Sequence, residues 1–257
     1  MRVLSLGAGV QSSTLLLLAC RGEEDIDAAV FADTQWEPAA VYRHLDWLEQ
    51  QAQAARIPVY RVTTGNLRAD ALAGKPAAWM PLRVHTADGR STMLRRQCTR
   101  HYKIVPVRRQ VRALMQAAGV RQVEQSIGIS LDEVGRMRDS GVRYIRNVYP
   151  LIERRWTRQS CLHWLAEHGY PTPPKSSCIG CPYRDDTAWR RMRDTQPAEW
   201  ADAVAFDYAV RNRRMADPVY LHRSLRPLDQ VDLSTQTEHG RDYALDKPTN
   251  LAYYLGR

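Results

Sequence analysis

The residues of this chain best suited to chemistry are four of its five cysteines and one glycine-rich turn near the amino terminus. Cys178-Ile179-Gly180-Cys181 has a spacing that suits zinc, an iron–sulfur cluster or a redox dithiol, and the Ile-Gly step lets the backbone wrap a metal. Cys161 falls near the start of a predicted helix, and Cys98 immediately precedes another. Helix starts favour thiolates, so both positions suit anionic sulfur. Four thiolates from three segments would close a tetrahedral set around either Zn2+ or a 4Fe-4S cluster. The fifth, Cys20, sits inside an apolar run and reads as a small buried hydrophobe.

Gly7-Ala8-Gly9-Val10-Gln11-Ser12-Ser13 follows a predicted strand and opens a predicted helix. Glycines let backbone approach a phosphate closely, and the free N–H groups of a helix start point at it. The hydroxyls of Ser12 and Ser13 add two donors. No lysine follows, so this is not the loop of kinases and GTPases, and the spacing does not match Gly-x-Gly-x-x-Gly. The plainer alternative is a tight turn with a serine-capped helix.

These groups must be positioned by regular elements. Arg2 to Leu6, Ala28 to Ala32 and Val59 to Thr63 read as strands, alternating with helices over Ser12 to Arg21 and Ala39 to Ala55. Such alternation predicts a parallel sheet with helices on both faces. Ala87-Asp88-Gly89 signals a hairpin within an excursion from Trp79 to Arg96. Helical periodicity resumes over Tyr102 to Ala118. Ser126 to Ile129 and Tyr144 to Leu151 read as further strands, and Thr157 to His168 as a helix capped by Thr157 and closed by Gly169. Asp185 to Asp194 and Pro197 to Met215 complete the predicted helices. Two regions are expected, residues 1–150 binding nucleotide and 151–257 carrying the cysteine motif, packed as one unit.

The composition, 44% hydrophobic and 25% charged in 257 residues, excludes disorder, collagen-like repeats and a disulfide-dense miniprotein. The net charge is +9, and only four of 37 cations are lysines. An excess of arginine favours a polyanionic partner such as a nucleotide, tRNA or DNA. Arg95-Arg96, Arg100, Lys103, Arg108-Arg109 and Arg112 concentrate it around Cys98. The apolar run from Thr14 to Cys20 is far shorter than the ~20 residues of a membrane span, so a cytoplasmic protein is expected. Trp189 and Trp200 fall on helical patterns as core residues, and His44, His163 and His168 read as ordinary helix residues.

The turn resembles the Ser-Gly-Gly-x-Asp-Ser-Ser/Thr pyrophosphatase loop (PP-loop) of the adenine nucleotide α-hydrolase superfamily. Gly9 matches the second glycine, while Gly7 stands for serine, Ala8 for glycine and Gln11 for aspartate; Ser5 partly replaces the missing hydroxyl. Phe31-Ala32-Asp33-Thr34, Cys98-Thr99-Arg100-His101-Tyr102-Lys103-Ile104, Ile127-Gly128-Ile129-Ser130-x-Asp132-Glu133 and Pro173-Pro174-Lys175-Ser176-x-Cys178-x-x-Cys181-Pro182 resemble the phosphoadenosine-phosphosulfate (PAPS) reductase-like branch. The likeness covers roughly residues 1–195.

This resemblance implies a Rossmann-like (HUP-type) α/β sheet with a cysteine-ligated metal site in its carboxy-terminal segment. It implies ATP as nucleotide, with Ser5, Gly7, Ala8, Gly9, Gln11, Ser12 and Ser13 at the phosphates. Asp33, Thr34 and Gly128 would border the nucleoside. Asp132 or Glu133 would hold Mg2+, with Lys103 as a further catalytic group. Cys98, Cys161, Cys178 and Cys181 would ligate a 4Fe-4S cluster, zinc being the alternative; without Cys161 one iron is left open for sulfide. The expected function is an ATP-dependent, adenylating sulfurtransferase acting on a nucleic acid or nucleotide acceptor, with an unidentified sulfur donor and a homodimer allowed. A sulfonucleotide reductase is the alternative, although no cysteine follows Cys181 to serve as the carboxy-terminal nucleophile of such enzymes. A zinc-stabilised ligase and a non-catalytic nucleotide- or nucleic-acid-binding module are further alternatives.

Overall fold

A computed structural model describes residues 1–85, 90–211 and 218–234. In chain order its main elements are β1 (Arg2–Leu6), α1 (Val10–Cys20), β2 (Ala28–Ala32), α2 (Ala39–Ala54), β3 (Val59–Val62), α3 (Leu67–Leu72), β4 (Arg83–His85) and β5 (Ser91–Met93). There follow α4 (Val105–Ala117), β6 (Val123–Ile127), β7 (Ile145–Val148), α5 (Pro150–Glu153), α6 (Arg158–Glu167), α7 (Asp186–Thr195) and α8 (Pro197–Val210). The chain forms two units, each assembled from two stretches: Met1–Thr64 with Tyr102–Ser176, and Gly65–His101 with Ser177–Arg257.

The first unit is a five-stranded sheet in the order β3-β2-β1-β6-β7, every pairing parallel. This is the expected mostly parallel α/β architecture. Strand alternation sorts the side chains. Leu4, Leu6, Ala29 and Phe31 face a core shared with α1, α2 and α6. Val3, Ala28, Val30 and Ala32 face the opposite core, with Val107 and Val111 of α4. Buried on both faces, the central strands need apolar residues at successive positions. The same burial explains α1, whose Leu15, Leu16, Leu17 and Leu18 are all fully enclosed.

Chain order reverses about β1: β2 and β3 extend to one side, β6 and β7 to the other. The loops leaving β1 and β6 therefore diverge at the carboxyl edge, which is where open α/β sheets bind ligands.

Local differences from the sequence reading have physical causes. The fourth sheet strand starts at Val123 rather than Ser126, because Val123 and Gln125 are buried beside β1. The strand expected through Leu151 stops at Val148, and Pro150 opens the short helix α5. Proline has no N–H for a ladder but is well placed in a first helical turn. The helix α6 begins with Thr157 and Ser160 in a reciprocal capping box and ends before Gly169 at φ +68°, as its sequence signals required.

In the second unit β4 and β5 pair antiparallel, with Val84 opposite Thr92. The hairpin residues Ala87-Asp88-Gly89 lie outside the described residues, as does Met215, the expected end of the last helix. Asn66 caps α3 and Asp185 caps α7, each accepting the N–H three residues on. Trp189 is fully buried, as a core residue should be, and meets the edge of Trp200, which was expected in the core but is only partly buried. No described helix is long and apolar enough to cross a membrane.

Candidate nucleotide site and the cysteine segment

The turn between β1 and α1 is held by its own hydroxyls. Ser12 Oγ accepts from Gly7 N–H (3.1 Å) and donates to the Gly9 carbonyl (3.3 Å). The Ser176 hydroxyl donates to the Gly7 carbonyl, an anchor that the sequence reading missed. Gly9 is extended at the head of α1 and, as the N-cap, supplies no side-chain cap bond. The first N–H groups of the helix are left at the carboxyl edge of the sheet, where an anion would satisfy them. Ala8 carries φ +52°, a left-handed conformation that glycine adopts without strain.

Ser12 and Ser13 take different parts. Ser12 closes the turn; Ser13 is fully buried, and its Oγ lies 3.0 Å from His44 Nε2. His44 is itself buried and stacks on Trp47 at 5.5 Å between ring centroids. Burial pushes its pKa down to about 4, so the ring is neutral near pH 7. Thr14 Oγ1 donates to the Val10 carbonyl (2.8 Å) and meets the buried thiol of Cys161. The start of α1 is thus fastened to α2 through His44 and to α6 through Cys161. The serine pair was legible in sequence; the histidine 31 residues away was not.

Across the strand-order reversal, Gly128 leaves β6 beside this turn. A Cβ there would lie 2.8 Å from Ser12 N and 3.0 Å from Ser12 Cα. Gln11 Nε2 donates to Ser130 Oγ (3.3 Å) and Glu133 Oε2 (3.0 Å), and Glu133 also pairs with Arg136. Asp132 Oδ1 accepts the N–H of Arg158 (3.0 Å) at the start of α6. The two carboxylates expected at a magnesium ion are therefore engaged in tying the β6 loop to α1 and α6.

At the end of β2, Asp33 Oδ1 accepts from Gln35 N–H (2.7 Å) and the Tyr42 hydroxyl (2.8 Å). Burial and the Asp33 carboxylate together raise the Tyr42 pKa, keeping that hydroxyl protonated. Thr34 is fully buried and donates to Glu37 Oε1 (3.0 Å), which also receives Lys103 Nζ (3.1 Å). Ser5 is half-buried on the Val3 face of β1. Ser5, Gly7, Gly9, Ser12 and Asp33 thus gather at the carboxyl edge with Gly128, Asp132 and Glu133.

The cysteines divide differently. Cys161 is wholly buried in the core of the first unit, and burial lifts its pKa to about 11. Cys98, Cys178 and Cys181 belong to the second unit. Burial raises the Cys98 pKa, opposed by the Arg96 charge and reinforced by Cys181. Arg184 donates to the carbonyls of Ser177 (2.9 Å), Cys178 (3.1 Å) and Ile179 (3.2 Å), fixing the Cys-x-x-Cys loop from inside. Among the described residues no three His, Cys, Asp or Glu side chains converge as a metal would require. The expected cysteine-ligated centre does not fit these residues, whether as a 4Fe-4S cluster or as zinc.

Comparison with known proteins overturns the expected function as well. The sequence model of the phosphoadenosine phosphosulfate reductase domain matches residues 2–174. No curated protein matches the chain. Among solved structures, phosphoadenylyl-sulfate (PAPS) reductase from Candida auris, in a phosphate complex, is similar at 13% identity. The match covers 66% of this chain and 74% of that one, with a TM-score of 0.42. The reading as an adenylating, iron–sulfur sulfurtransferase with pyrophosphatase-loop chemistry is corrected by the reductase-domain match and by the absence of a converging ligand set among the described residues. The resemblance that led to that reading does hold at the level of family: the chain belongs to the phosphoadenosine phosphosulfate reductase domain family, within the adenine nucleotide α-hydrolase superfamily.

Proposed function

We propose that this protein is a sulfonucleotide-reductase-like enzyme whose substrate is an adenine nucleotide of the phosphosulfate class. The observation that carries this reading is the family match over residues 2–174. The start of α1 at the strand-order reversal supports it from the geometry. The N–H groups following Gly9 hold the phosphate, with Gly7, Ala8 and Ser12 shaping the turn. Gly128 and Asp33 flank the nucleoside, and Gln11 ties the turn to Ser130 and Glu133. Ser13 and Thr34 act from beneath, through His44 and Glu37. Lys103 supplies positive charge beside Glu37 for the developing oxyanion.

The reaction is a two-electron reduction. A thiolate attacks the sulfur of the phosphosulfate, an S–S bond forms, and the S–O bond to the phosphate breaks with the nucleotide phosphate leaving. A second thiol then displaces sulfite and closes a disulfide. We assign both thiols to an external dithiol reductant.

The test is sulfite release from adenosine 5′-phosphosulfate and its 3′-phosphorylated form, with thioredoxin as dithiol, alongside calorimetry with adenosine 3′,5′-bisphosphate. Sulfite and nucleotide appearing in equal amounts support the reading. Tight nucleotide binding with no sulfite from either substrate would remove the reductase and leave a nucleotide-binding protein.

A further inference from the structure

The second unit contains a cavity of about 300 Å3 that the nucleotide chemistry does not use. Small-molecule sites start near this volume, at roughly 300 Å3, and are mostly apolar with a few polar groups fixing orientation. Here Ala78, Leu82, Phe206 and Val219, all buried, form the walls. Trp79 also lines the cavity and is 49% exposed, a large indole left open beside a mostly apolar space.

The walls are held by backbone bonds. The Trp79 carbonyl accepts N–H groups from both Gln97 and Cys98 at 3.0 Å, Leu94 N–H bonds to the Leu82 carbonyl at 2.9 Å, and Arg83 and Tyr220 exchange two bonds. Two arginines, Arg95 and Arg211, are among the lining residues as well. They differ in what they can offer. Arg211 pairs with the fully buried carboxylate of Asp207 and lies over the rings of Tyr208 (4.3 Å) and Tyr220 (5.2 Å). Its buried Nε–H nevertheless finds no acceptor among the described residues. Arg95 is exposed and carries the cavity's accessible positive charge.

We infer that this cavity is a binding site for a small apolar anion, its flat hydrocarbon body against Trp79 and Phe206 and its carboxylate or sulfonate on Arg95. The inference concerns residues of the second unit only and stands whether or not the sulfonucleotide reading does.

Three probes with one body and different charge test it on the full chain by calorimetry: 2-naphthoate, 2-naphthalenemethanol and 2-naphthylmethylammonium. One equivalent of 2-naphthoate should bind, at least ten-fold tighter than either of the others, with a change in Trp79 fluorescence that Trp79→Phe removes. Arg95→Gln, at an exposed position, should abolish the preference for the anion while leaving the thermal melt unchanged. Ala78→Phe should fill the space and eliminate binding; if that variant does not fold, Trp79→Ala should weaken 2-naphthoate at least ten-fold instead. Equal affinity for all three probes would overturn the inference, as would no binding, or binding unchanged by Arg95→Gln.

Discussion

Ser12 and Gly128 meet backbone to backbone: a Cβ on Gly128 would lie 2.8 Å from the Ser12 nitrogen. The loop leaving β6 therefore sets the position of the turn leaving β1, although 116 residues of chain separate them. Gly128→Ala puts a methyl against main-chain atoms that cannot rotate away. We expect a stability loss of roughly 1–3 kcal/mol, typical of overpacking. Affinity for adenosine 3′,5′-bisphosphate should fall at least about ten-fold, because α1 must shift away from the phosphate position. Urea denaturation and calorimetry together check this; full affinity in a stable Gly128→Ala protein would separate Gly128 from the site.

Ala8, at φ +52°, tests whether the turn is strained. A left-handed alanine costs about 1 kcal/mol, and its buried methyl contributes about 0.8 kcal/mol in the other direction. Ala8→Gly should thus stay within about 1 kcal/mol of the parent despite deleting a core methyl. Ala8→Val should lose at least about 2 kcal/mol, since a β-branched residue combines poor backbone geometry with overpacking. Midpoints of urea unfolding distinguish the two.

His44 makes stability fall with acid. Its pKa drops from the ordinary 6.5 to about 4 in the folded chain, so the unfolded chain binds the proton more readily. The contribution is complete above pH 6.5, declines as pH falls through the interval down to about 4, and is of order 3 kcal/mol in all. His44→Phe should flatten that interval of the stability curve. It should also weaken nucleotide binding, because Ser13 Oγ loses its buried partner at about 1–3 kcal/mol. An unchanged slope between pH 4 and 6.5 would remove His44 from this role.

The thiols of half-buried Cys20 and fully buried Cys161 should be unreactive. Cys20 and Cys161 are each pushed to about 11 by burial, about a hundred-fold less thiolate at neutral pH than at the ordinary value of 9. Iodoacetamide labelling followed by peptide mass mapping should modify both at least about 100-fold more slowly in the folded chain than in urea. Rapid native labelling of Cys161 would show its helix opening.

What sequence alone determined was local. Strand periodicity over Arg2–Leu6 and Ala28–Ala32, the Thr157 and Gly169 helix ends, and the glycine-serine turn all follow from neighbours within a few residues, whose backbone preferences act without the rest of the fold. The family was legible for the same reason, since its motifs are short and lie at strand ends.

Tertiary structure decided which side chains could act. Ser12 and Ser13 are adjacent and chemically identical, yet the helix turns one to the glycine turn and the other inward to His44. Asp132 and Glu133 look like a metal pair in sequence, but packing gives one to the Arg158 N–H and the other to Gln11 and Arg136. Four cysteines with suggestive spacing did not make a ligand set, because spacing fixes distance along the chain while coordination requires side chains to converge in space, and Cys161 is committed to the core beneath α1.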